Sequence, residues 1–202
     1  RLLAAIASAL LVSLTPAFAH DGHDHDAPPT EAPARPAAVE TGPGSEPGSS
    51  VDAALNRALA RTRQSPGNAD AWVDLGDAWM QRSRDRLEDA LFAKAEAAYR
   101  EALKLESNHV KAMVGMAWVA NTRHDFTAGR AWARRALELE PRTPEAFALL
   151  GDAAVEAGDY DEAYEHYQKG LDLRPDLASY ARAAHLLWIT GDARRAQVLM
   201  RK

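Results

Sequence analysis

Ala136-Leu137-Glu138-Leu139-Glu140-Pro141 returns as Gly170-Leu171-Asp172-Leu173-Arg174-Pro175 and is preceded by Ala102-Leu103-Lys104-Leu105-Glu106-Ser107, each copy 34 residues from the last. Tyr99, Ala133 and Tyr167 keep that interval, as do Ala95, Gly129 and Ala163. Upstream, Met113-x-x-Met116-Ala117 aligns with Phe147-x-x-Leu150-Gly151 at the same distance. Trp72-x-x-Leu75-Gly76-x-x-Trp79 fits the template at a distance of 41, which implies seven inserted residues in the first unit. A last unit, Tyr180-x-x-Ala183-Ala184 with Gly191-Asp192 and Ala196, follows at 33. Self-similarity at a fixed period of this size marks a stacked array, in which each unit buries its apolar face on its neighbours.

Each residue type has a mechanical reason. Gly76 and Gly151 leave room where one helix must approach another closely, and Ala95 and Ala163 do so from the facing helix. Trp72, Met113, Phe147 and Tyr180 fill the gap to the neighbouring unit. Pro141 and Pro175 end helices, since proline cannot donate its N–H and disfavours helix at the residue before it. Gly158-Asp159 and Gly191-Asp192 read as helix-to-helix turns, glycine taking the left-handed conformation and aspartate capping the next start. The pattern W-x-x-L-G-x-x-Y, then A-x-x-x-F/Y-x-x-A and a closing Pro at period 34, resembles the tetratricopeptide repeat (TPR) family over residues 69–202.

The resemblance implies an all-α, right-handed TPR solenoid: units of about 69–109, 110–143, 144–176 and 177–202, the last one cut, preceded by a helix within 51–66. Helices are expected near 52–64, 69–82, 87–106, 110–121, 125–139, 144–157, 160–173, 177–189 and 192–201. The insert lies within Arg82–Ala90. Leu87, Leu91 and Ala95 stand at i, i+4, i+8, so it is expected to lengthen the second helix of the first unit by about two turns, roughly 10 Å. Ala117 and Gly129 exchange the usual small residues of the second unit and are expected to weaken it. Arrays normally end in a complete, polar-faced cap, so the native chain is expected to continue beyond Lys202. The chain also looks like a group of bacterial TPR proteins with the same insert and the same Asp176–Arg182 segment, a resemblance that carries no particular activity.

Composition agrees with helices. The 202 residues include no cysteine, 47% hydrophobic residues and only 7% aromatics, so the core is built largely from Ala and Leu. A β-sandwich would want more Val, Ile, Thr and aromatic residues. Without cysteine there is no disulfide framework, no thiolate metal site and no cysteine nucleophile. The net charge of −5 resides in residues 20–50, while 51–202 hold 22 bases against 23 acids. A near-neutral domain without a basic stripe is a poor nucleic-acid binder.

Arg1 precedes an apolar run from Leu2 to Leu14, broken by Thr15-Pro16 and followed by Ala17-Phe18-Ala19, the small residues of a signal-peptidase site. The run is short for a membrane span, which needs about 20 apolar residues. Residues 1–19 are therefore read as a cleaved signal peptide, with a periplasmic or secreted product that begins at His20 and keeps no stable membrane span. Residues 20–50 hold six of the eleven prolines and an excess of acid, a composition expected to stay disordered. His20, His23 and His25 alternate with aspartates there. Imidazole suits Cu and Zn, so weak binding of either is the one cofactor reading, and a soluble spacer is the other.

In the family alignment the groove-facing positions of the first helix of each unit fall on Asp70, Val73, Asp77 and Met80; Lys111, Val114, Trp118 and Asn121; Glu145, Ala148, Asp152 and Val155; and Ala178, Ala181, His185 and Trp188. Trp118 and Trp188 admit two readings, ligand anchor or packing between units; Trp118 is read as the anchor and both stay open for Trp188. Asp70, Asp77, Glu145 and Asp152 imply a negative groove and a basic or amphipathic partner segment. The clamp that some family members use to hold a terminal carboxylate needs Lys and Asn where Val73, Val114 and Ala148 stand, so it is not carried over.

No G-x-S-x-G, phosphate-cradling glycine loop or H-E-x-x-H occurs. His109 and His124 read as loop residues, His166 as a solvated face, and with His185 they lack ligand spacing. The reading is a non-enzymatic protein–protein interaction scaffold of the cell envelope. Its alternative is a periplasmic metal-handling protein that uses the His-rich tail. Assembly factors of envelope complexes, cytochrome maturation among them, also use such arrays, an analogy of fold alone.

Overall fold

The computed structural model describes residues 49–86, 88 and 90–201. Among them are nine helices and no strand: α1 Ser49–Gln64, α2 Ala69–Arg86, α3 Ala90–Leu105, α4 Val110–Thr122, α5 Phe126–Leu139, α6 Pro144–Glu156, α7 Tyr160–Leu173, α8 Leu177–Ile189 and α9 Ala193–Leu199. Consecutive helices pack as antiparallel pairs, the arrangement of a right-handed TPR solenoid. The first helices of the pairs also touch in succession, α2 with α4, α4 with α6 and α6 with α8. Among the described residues no such contact joins α3, α5 and α7 to one another, so these lie on the outer, convex side.

Local chemistry sets the boundaries. Asp125, Asp159, Asp176 and Asp192 each accept an N–H three residues on, the N-cap bond that satisfies an orphan donor. α5 and α7 stop at Leu139 and Leu173, two residues short of Pro141 and Pro175. Gly158 and Gly191 have φ of +77° and +92° in the turns before α7 and α9. His124 makes the corresponding turn in the second unit with φ 59°, a left-handed residue that is not glycine.

Two expectations are corrected. α1 begins at Ser49 rather than 52, with Asp52 in its first turn where a carboxylate meets the positive end of the helix dipole. The insert lengthens mostly the first helix of its unit, not the second. α2 runs to Arg86, while α3 starts only at Ala90. The Ser83 hydroxyl donates to the Glu88 carbonyl at 3.0 Å, and that buried serine turns the chain back. Leu87, on which a longer second helix rested, lies outside the described residues, as do residues 1–19, where a signal peptide is expected, and residues 20–48.

The core runs along the stack as successive clusters rich in alanine. Ala69, Ala95, Ala102 and Ala112 enclose Met80 and Tyr99, both fully buried, and Ala133, Ala136 and Ala146 enclose Met113. α1 covers the start of the stack through Leu55 and Ala58 against Leu75, Ala78 and Ala98. Arg61 with Asp74 and Arg82 with Asp52 tie it to α2. Trp72 is half-buried between these clusters, and its Nε1–H donates to the Pro66 carbonyl at 2.9 Å.

Candidate binding groove

Three clefts meet on the inner side of the stack, and Trp118 of α4 lines all of them. The first, about 470 Å³, lies where α2, α4 and the start of α6 converge; Val73, Val110, Val114 and Pro144 give it apolar walls, with Asp77, Lys111 and Arg142 at its rim. The second, about 290 Å³, opens towards α8 and includes Asn121, Asp152, Glu156 and His185. The third, about 150 Å³, lies between α4, α6 and α8 and is lined by Glu145, Ala148, Arg174 and Arg182.

Of the expected site residues, the fold brings Asp77, Lys111, Trp118, Asn121, Glu145, Asp152 and His185 into this connected groove. Asp70 is outside it. The His109 ring caps α4, Nδ1 accepting from the Ala112 N–H at 3.3 Å, and its Nε2 lies 3.3 Å from the Asp70 carboxylate. Trp188 lines none of the three clefts; it is 64% exposed on the last helix pair, with the His185 ring 6.4 Å away. Val73 borders the first cleft, but Met80 is corrected: it is fully buried in the core cluster with Phe92, Tyr99 and Val119 of α3 and α4. His166 is also corrected: its side chain packs on Phe147 and Glu162 instead of facing solvent, and burial pushes its pKa down. His20, His23 and His25 lie outside the described residues.

The acids that implied a negative groove already have partners. Asp77 accepts the Tyr99 hydroxyl at 2.6 Å. Asp152 accepts the Tyr167 hydroxyl at 2.8 Å and the Arg182 guanidinium at 2.9 and 3.2 Å. Glu145 takes Arg174 at 2.5 Å. Burial pushes the Asp77 carboxyl up, and burial beside the carboxylates pushes the Tyr99 and Tyr167 hydroxyls far above the usual phenol range, so both remain donors. The groove is thus mixed in charge.

In the sequence Tyr99 and Tyr167 mark only the repeat interval; packing makes each the hydrogen-bond donor to a groove aspartate, a role the sequence analysis does not assign. The signal was there: Tyr99 with Asp77 and Tyr167 with Asp152 occupy matching repeat positions, once the seven-residue insert is removed. The second unit replaces both members, with Trp118 at the aspartate position and Ala133 at the tyrosine position. A polar pair has become an indole packed over a cluster that contains Ala133. Asn121 proves structural as well as groove-lining. Its Nδ2 donates to the Leu149 carbonyl of the next unit at 2.9 Å, and its carboxamide fills the space left by Gly129. That glycine gives the Asn121 carboxamide its room.

TPR family models match residues 82–142 and 144–177, and the chain belongs to the tetratricopeptide repeat family. Among curated proteins, formate-dependent nitrite reductase complex subunit NrfG of Escherichia coli O157:H7 is 26% identical over 125 residues, covering 60% of this chain and 60% of that protein. The chain therefore spans under two thirds of that relative's length. A thermophilic TPR protein of Thermus thermophilus superposes with a TM-score of 0.61 at 22% identity, over 69% of this chain and 74% of that one. YrrB, a TPR protein with an unusual peptide-binding site, gives 0.53 at 17% identity, over 72% of each chain. These structural likenesses establish the fold. Among the described residues no helix is long and apolar enough to cross a membrane.

Proposed function

We propose that the protein is a non-enzymatic scaffold of the cell envelope, whose inner groove holds an amphipathic segment of a partner polypeptide with an apolar side chain seated on Trp118. The observation that carries this reading is the place of Trp118: one half-buried indole shared by three adjoining clefts, where the flanking units carry hydrogen-bonded Tyr–Asp pairs. An aromatic residue at the centre of a groove with a polar rim is the usual make-up of a binding hot spot. The peptide-binding site of YrrB and the place of NrfG in a multi-subunit complex agree with a polypeptide ligand. The apolar run and Ala17-Phe18-Ala19 support export. The basic partner expected from the acids is not retained, because those acids are paired within the chain.

A photo-crosslinking side chain placed at Ala148 in the groove, and at Ala131 on the exposed face of α5 as a control, tests the reading in cells. Capture of a discrete polypeptide from Ala148 alone, lost on Trp118→Ala, is expected. Equal capture from both positions would reject the groove. Sequencing the amino terminus of the protein recovered from envelope fractions tests export, with His20 expected first.

A further inference from the structure

The charges of the first cleft divide unequally between those already satisfied and those left for a ligand. Asp77 holds the Tyr99 hydroxyl and Glu145 holds Arg174. Lys111, on the first turn of α4, and Arg142, in the turn between α5 and α6, both line the cleft and are exposed. Among the described residues neither cation has an ion-pair partner within 4 Å; of the lining carboxylates Glu140 has none either, and Asp77, bonded to the Tyr99 hydroxyl, is the one whose charge Lys111 faces. Beside them Val110, Val114, Pro144 and Trp118 form a continuous apolar wall. Two cations poised over an apolar cleft recognise a carboxylate carried close to an apolar side chain.

We infer that this end of the groove selects an acidic residue of the partner, an Asp or Glu side chain held between Lys111 and Arg142 while an apolar neighbour is seated on Trp118. The inference rests on the groove reading and sharpens it, because it assigns the sign of the partner's charge and the two residues that read it. Arg174 and Arg182, the other bases of the groove, are engaged by Glu145, Asp176 and Asp152 and contribute no free donor of comparable kind.

A display library of random peptides, selected on the full chain, tests this. The peptides recovered are expected to carry Asp or Glu within a few residues of an aromatic or large aliphatic residue. Their affinity should fall on the order of tenfold or more in the double variant Lys111→Glu, Arg142→Glu, since like charges then face each other. Selection on that variant should return Lys or Arg in place of the acid. Both residues are exposed, and the milder Lys111→Gln, Arg142→Gln pair, checked by circular dichroism, guards against a folding artefact. If acidic residues are not enriched, or if the charge variants bind the same peptides unchanged while Trp118→Ala loses them, the groove stands and the acidic specificity falls. If Trp118→Ala retains the peptides, both readings fail together.

Discussion

The ring of Tyr99 on α3 occupies the space that a side chain on Gly115 of α4 would fill, and Gly76 of α2 faces the same ring. One fully buried phenol thereby sets how closely the two helices of the first unit approach the helix that opens the second. Its hydroxyl reaches Asp77 at the edge of the groove, so packing between units and the groove surface share a residue.

Gly115→Ala is expected to destabilise the domain by about 1–3 kcal/mol, because the new methyl group meets a ring with no free volume to retreat into. Gly67→Ala, where a methyl meets nothing within 4 Å, should change stability by no more than about 0.5 kcal/mol. Urea unfolding of the two variants compares them; coincident midpoints would show that Tyr99 is not held as described.

Gly151→Leu should cost several kcal/mol, on the order of 3 or more. The Tyr167 ring lies where the leucine would go, and that tyrosine also holds Asp152, to which Arg182 of the next helix pair is bound. Displacing the ring therefore loosens two interfaces of an array whose units stabilise one another. Thermal unfolding measures it, and an unchanged transition would place Tyr167 elsewhere.

Trp118→Ala should keep the helical circular dichroism signal and lose the partner. Some stability should go with it, since the indole packs against two core clusters. Trp188→Ala should leave stability within about 0.5 kcal/mol, as its ring is mostly in solvent. Partner recovery that survives Trp118→Ala but fails with Trp188→Ala would move the anchor to the last helix pair.

Acidification should expose His166. Burial disfavours its cation, and Glu162 only partly offsets this, so the folded imidazole titrates below its ordinary value of about 6.5. As pH falls through that value the unfolded chain takes up the proton first. Folding stability therefore declines from about pH 6.5 until the folded imidazole is protonated as well. Urea midpoints at about pH 7.5 and 5.5 should converge in His166→Gln relative to the parent. An undiminished gap in the variant would assign the acid sensitivity to other groups.

The repeat interval alone, read through Gly76, Gly151, Pro141, Pro175 and the Gly-Asp turns, determined that this chain stacks helix pairs into a solenoid. Those features are local: a missing side chain at a close approach, a missing N–H at a helix end, a left-handed turn. The same register located Trp118, Lys111, Asp152 and His185 on the inner side. Tertiary structure alone decided how those residues behave. Whether the acids of the groove present free charge depended on Tyr99, Tyr167, Arg174 and Arg182, which lie between 15 and 30 residues away in sequence and meet them only when helices pack. The fate of the insert depended on whether Ser83 is buried, and the exposure of Trp188 on what covers the last pair, neither of which a periodic pattern encodes. Periodicity assigns a side chain to a face; the distances that settle its charge and partners arise between faces.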